Sequence, residues 1–213
     1  MDIAILIFEK FTALDAVGPY EVLRNLPGAK VTFVAKEVGP VRTDSGALAI
    51  TADAAIRDVT SADVVVIPGG PGQADFMQDE EILGWLRAID QTTTWTTSVC
   101  TGSLLLAAAG LLEGKKATSH WTALEHLPRY GAEPTLMRVV EQGKVITAAG
   151  VSAGIDMGLR LAAKIAGDDV AMAIQLGIEY DPQPPFDAGS PEKAPAHIVD
   201  LLKDMSRFAV PAP

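Results

Sequence analysis

Three apolar runs set the frame of this chain. Asp2–Phe8 is apolar after its first residue, Asp63–Ile67 reads DVVVI, and Thr93–Val99 is rich in β-branched residues. Runs this short and this uniformly apolar predict strands buried on both faces rather than strands with one wet side. Lys30–Ala35 predicts a further strand, and Val41–Ile50 a hairpin turning at Asp44 to Gly46. A second hairpin is predicted from Leu136–Glu141 and Lys144–Ala149 around Gln142-Gly143. Between these runs the spacing turns helical. A helix is predicted to start at Asp15, with Asp15 near its N-cap, and others over Asp79–Ile89, Ser152–Ala166 and Asp169–Ile178. Thr101–Leu112 is almost wholly apolar and predicts a central helix. A short strand over Ala117–His120, a short helix over Thr122–Leu127 and a last helix within Pro195–Phe208 complete the pattern.

Buried strands alternating with helices predict an α/β fold, a mostly parallel sheet with helices on both faces. In such sheets ligands bind at the carboxyl ends of the strands. Four loops lie there: Phe8 to Asp15, Ile67 to Gly72, Val99 to Gly102 and Ala149 to Gly154. The length of 213 residues suits one α/β domain with a full core, and the Pro-rich stretch from about residue 181 marks no clear boundary.

Composition narrows the function. The formal charge of −10 argues against nucleic acid and anionic membranes as partners. The N-terminus MDIAILIFEK lacks a basic region and reads as a first strand rather than a signal peptide. Leu104 to Leu112, the longest apolar stretch, is too short to span a bilayer. A single cysteine cannot form an internal disulfide, so the cytoplasm is the expected compartment. Three scattered histidines and one cysteine show no metal-ligand spacing, so no metal is expected.

That cysteine, Cys100, falls where the strand TWTTSV meets the helix TGSLLLAAAG, with small residues Gly102 and Ser103 after it. A strand–turn–helix with small neighbours can carry a nucleophile, and a helix N-terminus favours a thiolate. The competing reading is a small buried hydrophobe without chemistry. Gly69-Gly70-Pro71-Gly72 ends the DVVVI strand. Either Gly70 or Gly72 could give an oxyanion N–H beside that of Thr101, because Pro71 has none to give. The Walker pattern is absent, and Asp75 stands where a dinucleotide fingerprint requires Gly or Ala, so no nucleotide cofactor is expected. Asp15 follows the first strand by a short loop and could reach Cys100, where carboxyl and thiol would titrate as a unit. It could equally serve only as a helix cap. His120, in TSHW, is the one histidine placed to pair with Cys100, or a structural residue. His126 and His197 read as surface or packing residues. The three tryptophans read as core, and no Gly-x-Ser-x-Gly is present.

SVCTGSLLLAAAGLL, ATSHW, LDAVGPYEVL, IPGGPG and AAGVSAGIDMGL, in this order over about residues 1–180, together resemble the ThiJ/PfpI superfamily. The resemblance implies a flavodoxin-like, class I glutamine-amidotransferase-like fold and homodimers with the site near the interface. Within the superfamily the likeness runs to its isonitrile-hydrating branch, to which PFDAGSP adds. It implies Cys100 as nucleophile and Asp15 as the acid. Thr101 would supply a hydroxyl to that acid and an N–H. Gly70 and Gly72 would frame the oxyanion site, and Val151 would lie in the loop closing on the cysteine. Thr101 stands where the protease-like branch has histidine, so a Cys–His–acid hydrolase is not expected unless His120 substitutes. The implied reaction is hydration of an isonitrile to an N-substituted formamide without cofactor. Two alternatives remain open: glyoxalase or deglycase chemistry using Cys100 with His120, and a binding or redox-sensing module with an exposed, low-pKa Cys100. ATSHW also resembles the ligand-binding halves of certain regulators, although no basic DNA-reading segment follows it.

Overall fold

The computed structural model describes residues 1–208. A seven-stranded sheet runs through its centre, and its strands are built from the runs noted above. They are β1 (Asp2–Leu6), β2 (Lys30–Ala35), β5 (Ala54–Ala55), β6 (Val64–Ile67), β7 (Trp95–Val99), β10 (Val139–Gln142) and β11 (Val145–Ala148). Their spatial order is β10-β11-β7-β6-β1-β2-β5. All neighbours are parallel except β10, an antiparallel edge strand paired with β11. A separate hairpin joins β3 (Gly39–Arg42) to β4 (Ala49–Ala52).

The described residues hold six α-helices: α1 (Ala13–Leu23), α2 (Glu80–Asp90), α3 (Gly102–Ala108), α4 (Ala153–Ala166), α5 (Asp168–Gly177) and α6 (Ala196–Met205). β6 is buried at every position, and β1 and β7 are buried but for their first residues. That is why the three read as nearly unbroken apolar or β-branched runs. The chain moves outward from β1 to β2 on one side, then returns to β6 on the other. Strand order therefore reverses between β1 and β6, the place where open α/β sheets hold ligands. The loops leaving β1, β6 and β7 meet at this point.

Some boundaries differ from the expected ones. The apolar run Thr101–Leu112 is helical only to Ala108, because Gly110 takes a left-handed conformation (φ 82°) and stops the helix. The strand expected over Ala117–His120 shrinks to β8 (Lys116–Ala117). It pairs with β9 (Glu133–Pro134) outside the main sheet. The short helix expected at Thr122–Leu127 is a 3-10 segment, Trp121–Tyr130. Pro128 inside it has no N–H for an α-helical ladder. Residues 209–213, which the expected domain span includes, lie outside the described residues.

Candidate active site

Cys100 follows β7 directly and sits at φ 57°, a left-handed conformation that costs a non-glycine residue about 1–3 kcal/mol. The surroundings hold it there. Its N–H is shared between the carbonyls of Ala148 (3.1 Å) and Ala149 (2.9 Å), at the end of β11. Its carbonyl accepts the hydroxyls of Ser103 and Ser119, both at 3.1 Å. The elbow also lies hard against the end of β6. A Cβ on Gly102 would stand 2.1 Å from the carbonyl oxygen of Ile67, and one on Gly69 would stand 2.5 Å from the N–H nitrogen of Thr101. Only glycine fits at these two crossings.

Asp15 is fully buried in the first turns of α1. Helix α1 begins at Ala13 behind Thr12, so Asp15 lies inside the helix and its side chain makes no cap bond. Its Oδ2 instead accepts the N–H of Gly69 at 2.9 Å. Its Oδ1 has no hydrogen-bond partner among the described residues, while the nearby Cys100 thiol acts on the carboxyl as a whole. Helix α1 reaches this position because it packs closely on α4, with Gly18 against Ile155 and Gly158 against Val22.

Burial dominates the electrostatics of the pair. It lifts the Asp15 carboxyl from 3.8 to about 7, against the Gly69 N–H and the Cys100 thiol, which favour the carboxylate; Asp44 adds a smaller upward push. The Cys100 thiol is pushed up to about 12, first by burial and then by the Asp15 charge. The backbone N–H groups of Val151 and Thr101 pull it down but do not prevail. The redox-sensing alternative expects an exposed thiol; Cys100 is instead 5% exposed, and that burial pushes the thiol upward. The helix behind it has only seven residues, and burial outweighs whatever its N-terminus contributes.

The donors around the sulfur also differ from expectation. Gly70 gives its N–H to Thr101 Oγ1 (3.0 Å) and Gly72 gives its N–H to the Lys10 carbonyl (3.2 Å), so neither is free to serve an oxyanion. The Thr101 hydroxyl donates to the Gly70 carbonyl (3.4 Å) and makes no bond to Asp15. What remains for the sulfur is the N–H of Thr101 and that of Val151. Val151 is itself strained, at φ 25°, and begins the turn into α4. Arg138 braces that turn, ion-paired to Asp156 and donating to the Ser152 hydroxyl (3.2 Å), while Tyr180 donates to Asp156 (3.0 Å).

His120 does not bond to Cys100. Its Nδ1 accepts the Thr122 N–H (3.3 Å) and lies 2.8 Å from the Thr122 hydroxyl, which starts the 3-10 segment. Accepting at Nδ1 assigns the proton to Nε2. Burial, followed by the Arg207 charge, lowers its pKa and keeps the ring neutral. His120 instead lines a cavity of about 360 Å³ beside the elbow, with Ser119, Gly150 and Val151. Trp121, Leu124 and Leu136 make that cavity partly apolar, and Gly189 to Pro191, the end of the PFDAGSP stretch, form another wall with Glu192. Among the described residues no cluster of His, Cys, Asp and Glu could hold a metal ion. No helix among them is long and apolar enough to cross a membrane.

The model of the DJ-1/PfpI family matches residues 1–164 of this chain. The chain belongs to the DJ-1/PfpI family. Among DJ-1/PfpI relatives, the isonitrile hydratase of Pseudomonas putida is 44% identical over 200 residues, which cover 94% of this chain and 87% of that protein. A THiJ/PfpI family protein from Pseudomonas syringae, solved by crystallography, superposes with a TM-score of 0.92 at 42% identity, over 98% of this chain and 88% of that one. The HTH-type transcriptional regulator CdhR of Pseudomonas aeruginosa is 32% identical over 142 residues, 64% of this chain but only 40% of the regulator. The expected flavodoxin-like architecture, a parallel sheet with helices on both faces, is thus the fold of the DJ-1/PfpI chain described here.

Proposed function

We propose that this protein hydrates isonitriles to N-substituted formamides, with Cys100 as nucleophile and Asp15 as general acid and base. One observation carries the reading: beside a strained cysteine elbow lies a buried aspartate whose Oδ1 has no hydrogen-bond partner and whose carboxyl is lifted by burial to about 7. The extent of likeness to the Pseudomonas putida isonitrile hydratase supports the choice of substrate.

The chemistry follows from the proton inventory of the pair. As the sulfur bonds to the terminal isonitrile carbon, its proton passes to Asp15, and Asp15 delivers a proton to that same carbon. The carbon–nitrogen triple bond becomes a double bond, giving a thioimidate on Cys100. The N–H groups of Val151 and Thr101 steady the sulfur while it carries charge. Water then adds to the thioimidate carbon with Asp15 as base. One water proton goes to nitrogen, the carbon–sulfur bond breaks, and the other proton returns to sulfur. The sum is R–NC plus water giving R–NH–CHO, with the thiol restored, so the reaction as balanced calls for no cofactor. Thr101 acts in this scheme through its N–H, while its hydroxyl holds the Gly70 loop. The cavity walled by His120, Leu136 and Pro191 receives the N-substituent.

The chain works as one α/β unit in the cytoplasm, on a small molecule and without nucleic acid, as a homodimer. The pairing is supported by α6, on which Ile198, Leu201, Leu202 and Met205 form an exposed apolar stripe and no residue is buried. The test is product analysis of the purified protein with an aliphatic isonitrile and, separately, methylglyoxal. The formamide is expected from the first and no turnover of the second. Consumption of methylglyoxal alone would overturn the proposal.

A further inference from the structure

Beyond α6 the chain doubles back onto the active-site loops. The Arg207 guanidinium donates to the carbonyls of Pro71 and Gly70, the latter at 3.0 Å, and to Gln73 Oε1 at 2.7 Å. It lies 4.6 Å from the centre of the Phe208 ring, which in turn packs on His126 at 4.8 Å between centroids. The receiving loop touches the site at two points: Gly69 donates to Asp15, and Gly70 donates to the hydroxyl of Thr101, the neighbour of Cys100. Gln73 is 2% exposed, so the contact reaches into the folded body.

We propose that Arg207 is a positioning residue for Asp15, fastening the C-terminal segment across the Gly70–Gln73 loop so that the Gly69 N–H is held on the carboxylate. The planar fork suits the task, since one guanidinium spans three oxygens that no single ammonium could bridge. The contact also places a fixed positive charge in the field of Cys100 and His120. The first of these, through the Gly69 N–H, favours the ionised carboxyl. The inference rests on the role assigned to Asp15 above, and its test reads Asp15 without any substrate.

The charged and titratable groups around the two residues are few. Asp44, from the β3–β4 hairpin, and Cys100 act on Asp15. Asp75 and Cys100 act on Arg207, which itself acts on His120 and His126. Full-length Arg207→Met and Arg207→Lys, with carbon-13 in the aspartate carboxyls, are titrated by NMR. The Asp15 signal is assigned as the one missing from Asp15→Asn. Amide exchange of the Ile67–Phe76 peptide is followed in parallel. In Arg207→Met the Asp15 midpoint is expected to rise by about half to one pH unit, and loop exchange to quicken about tenfold. Arg207→Lys should fall between this variant and wild type. An Asp15 titration identical to wild type overturns the proposal, and does so even if exchange quickens, because Arg207 would then only tie down a tail. Failure of the isonitrile reaction would leave both measurements unchanged.

Discussion

Replacing Asp15 by asparagine tests the buried carboxyl directly. Asparagine keeps the shape and still accepts the Gly69 N–H through its oxygen, but it cannot ionise. In the folded protein Asp15 titrates near 7, against 3.8 for the unperturbed group. Between these values the folded state binds a proton that the unfolded state has released. Stability therefore falls as pH rises through this window and levels off above about 7. At about 1.36 kcal/mol per unit, the full penalty is roughly 4 kcal/mol. Between pH 4.5 and 7.5 it amounts to roughly 3 kcal/mol. Urea unfolding of wild type and Asp15→Asn at pH 4.5, 6 and 7.5 gives the difference, in which every other carboxylate cancels. The raised Cys100 thiol adds a penalty only above its unperturbed value of 9.0, outside this range. The variant should gain on wild type by roughly 3 kcal/mol from pH 4.5 to 7.5 while losing its turnover. A difference that stays flat across that range would show that Asp15 ionises in the fold as easily as in the open chain, and the acid–base role would fall with it.

Gly102→Ala drives a methyl into the Ile67 carbonyl. It should cost roughly 3 kcal/mol or more in urea unfolding and abolish activity. Ser119→Ala leaves the Cys100 carbonyl with Ser103 alone. The expected loss is about 1 kcal/mol of stability, read as a lower midpoint of thermal unfolding, with activity reduced but present. His120→Ala should keep formamide production within about tenfold of wild type, because His120 spends its Nδ1 on Thr122 and not on Cys100. Complete inactivation would instead restore a cysteine–histidine mechanism.

The parts of this site that were legible in the sequence are those written in local pattern. DVVVI and TWTTSV announce buried strands, and an abrupt passage from β-branched to small to apolar residues marks the elbow at Cys100. Asp15 was visible as a carboxylate one short loop after β1. Its release from capping was not, because that depends on α1 starting at Ala13. Which glycine N–H stays free could not be read either. Gly70 and Gly72 are spent on Thr101 and Lys10, partners that only the folded chain supplies. The direction of the Cys100 shift went the other way for a similar reason: a helix terminus is a local feature, whereas burial is set by the whole fold. Ser119 and Gly69 stood inside motifs already singled out, ATSHW and IPGGPG, as unremarked neighbours. Arg138 and Arg207 had no local signal, since they act on groups 18 and up to 137 positions away.

In this mechanism everything turns on Cys100 forming the bond to the substrate. The most direct measurement is the rate of formamide production from an aliphatic isonitrile by wild type and by Cys100→Ala, on samples shown by circular dichroism to share one fold. The mechanism predicts steady turnover by wild type and none above the uncatalysed rate by the variant. Equal rates in the two proteins would contradict it.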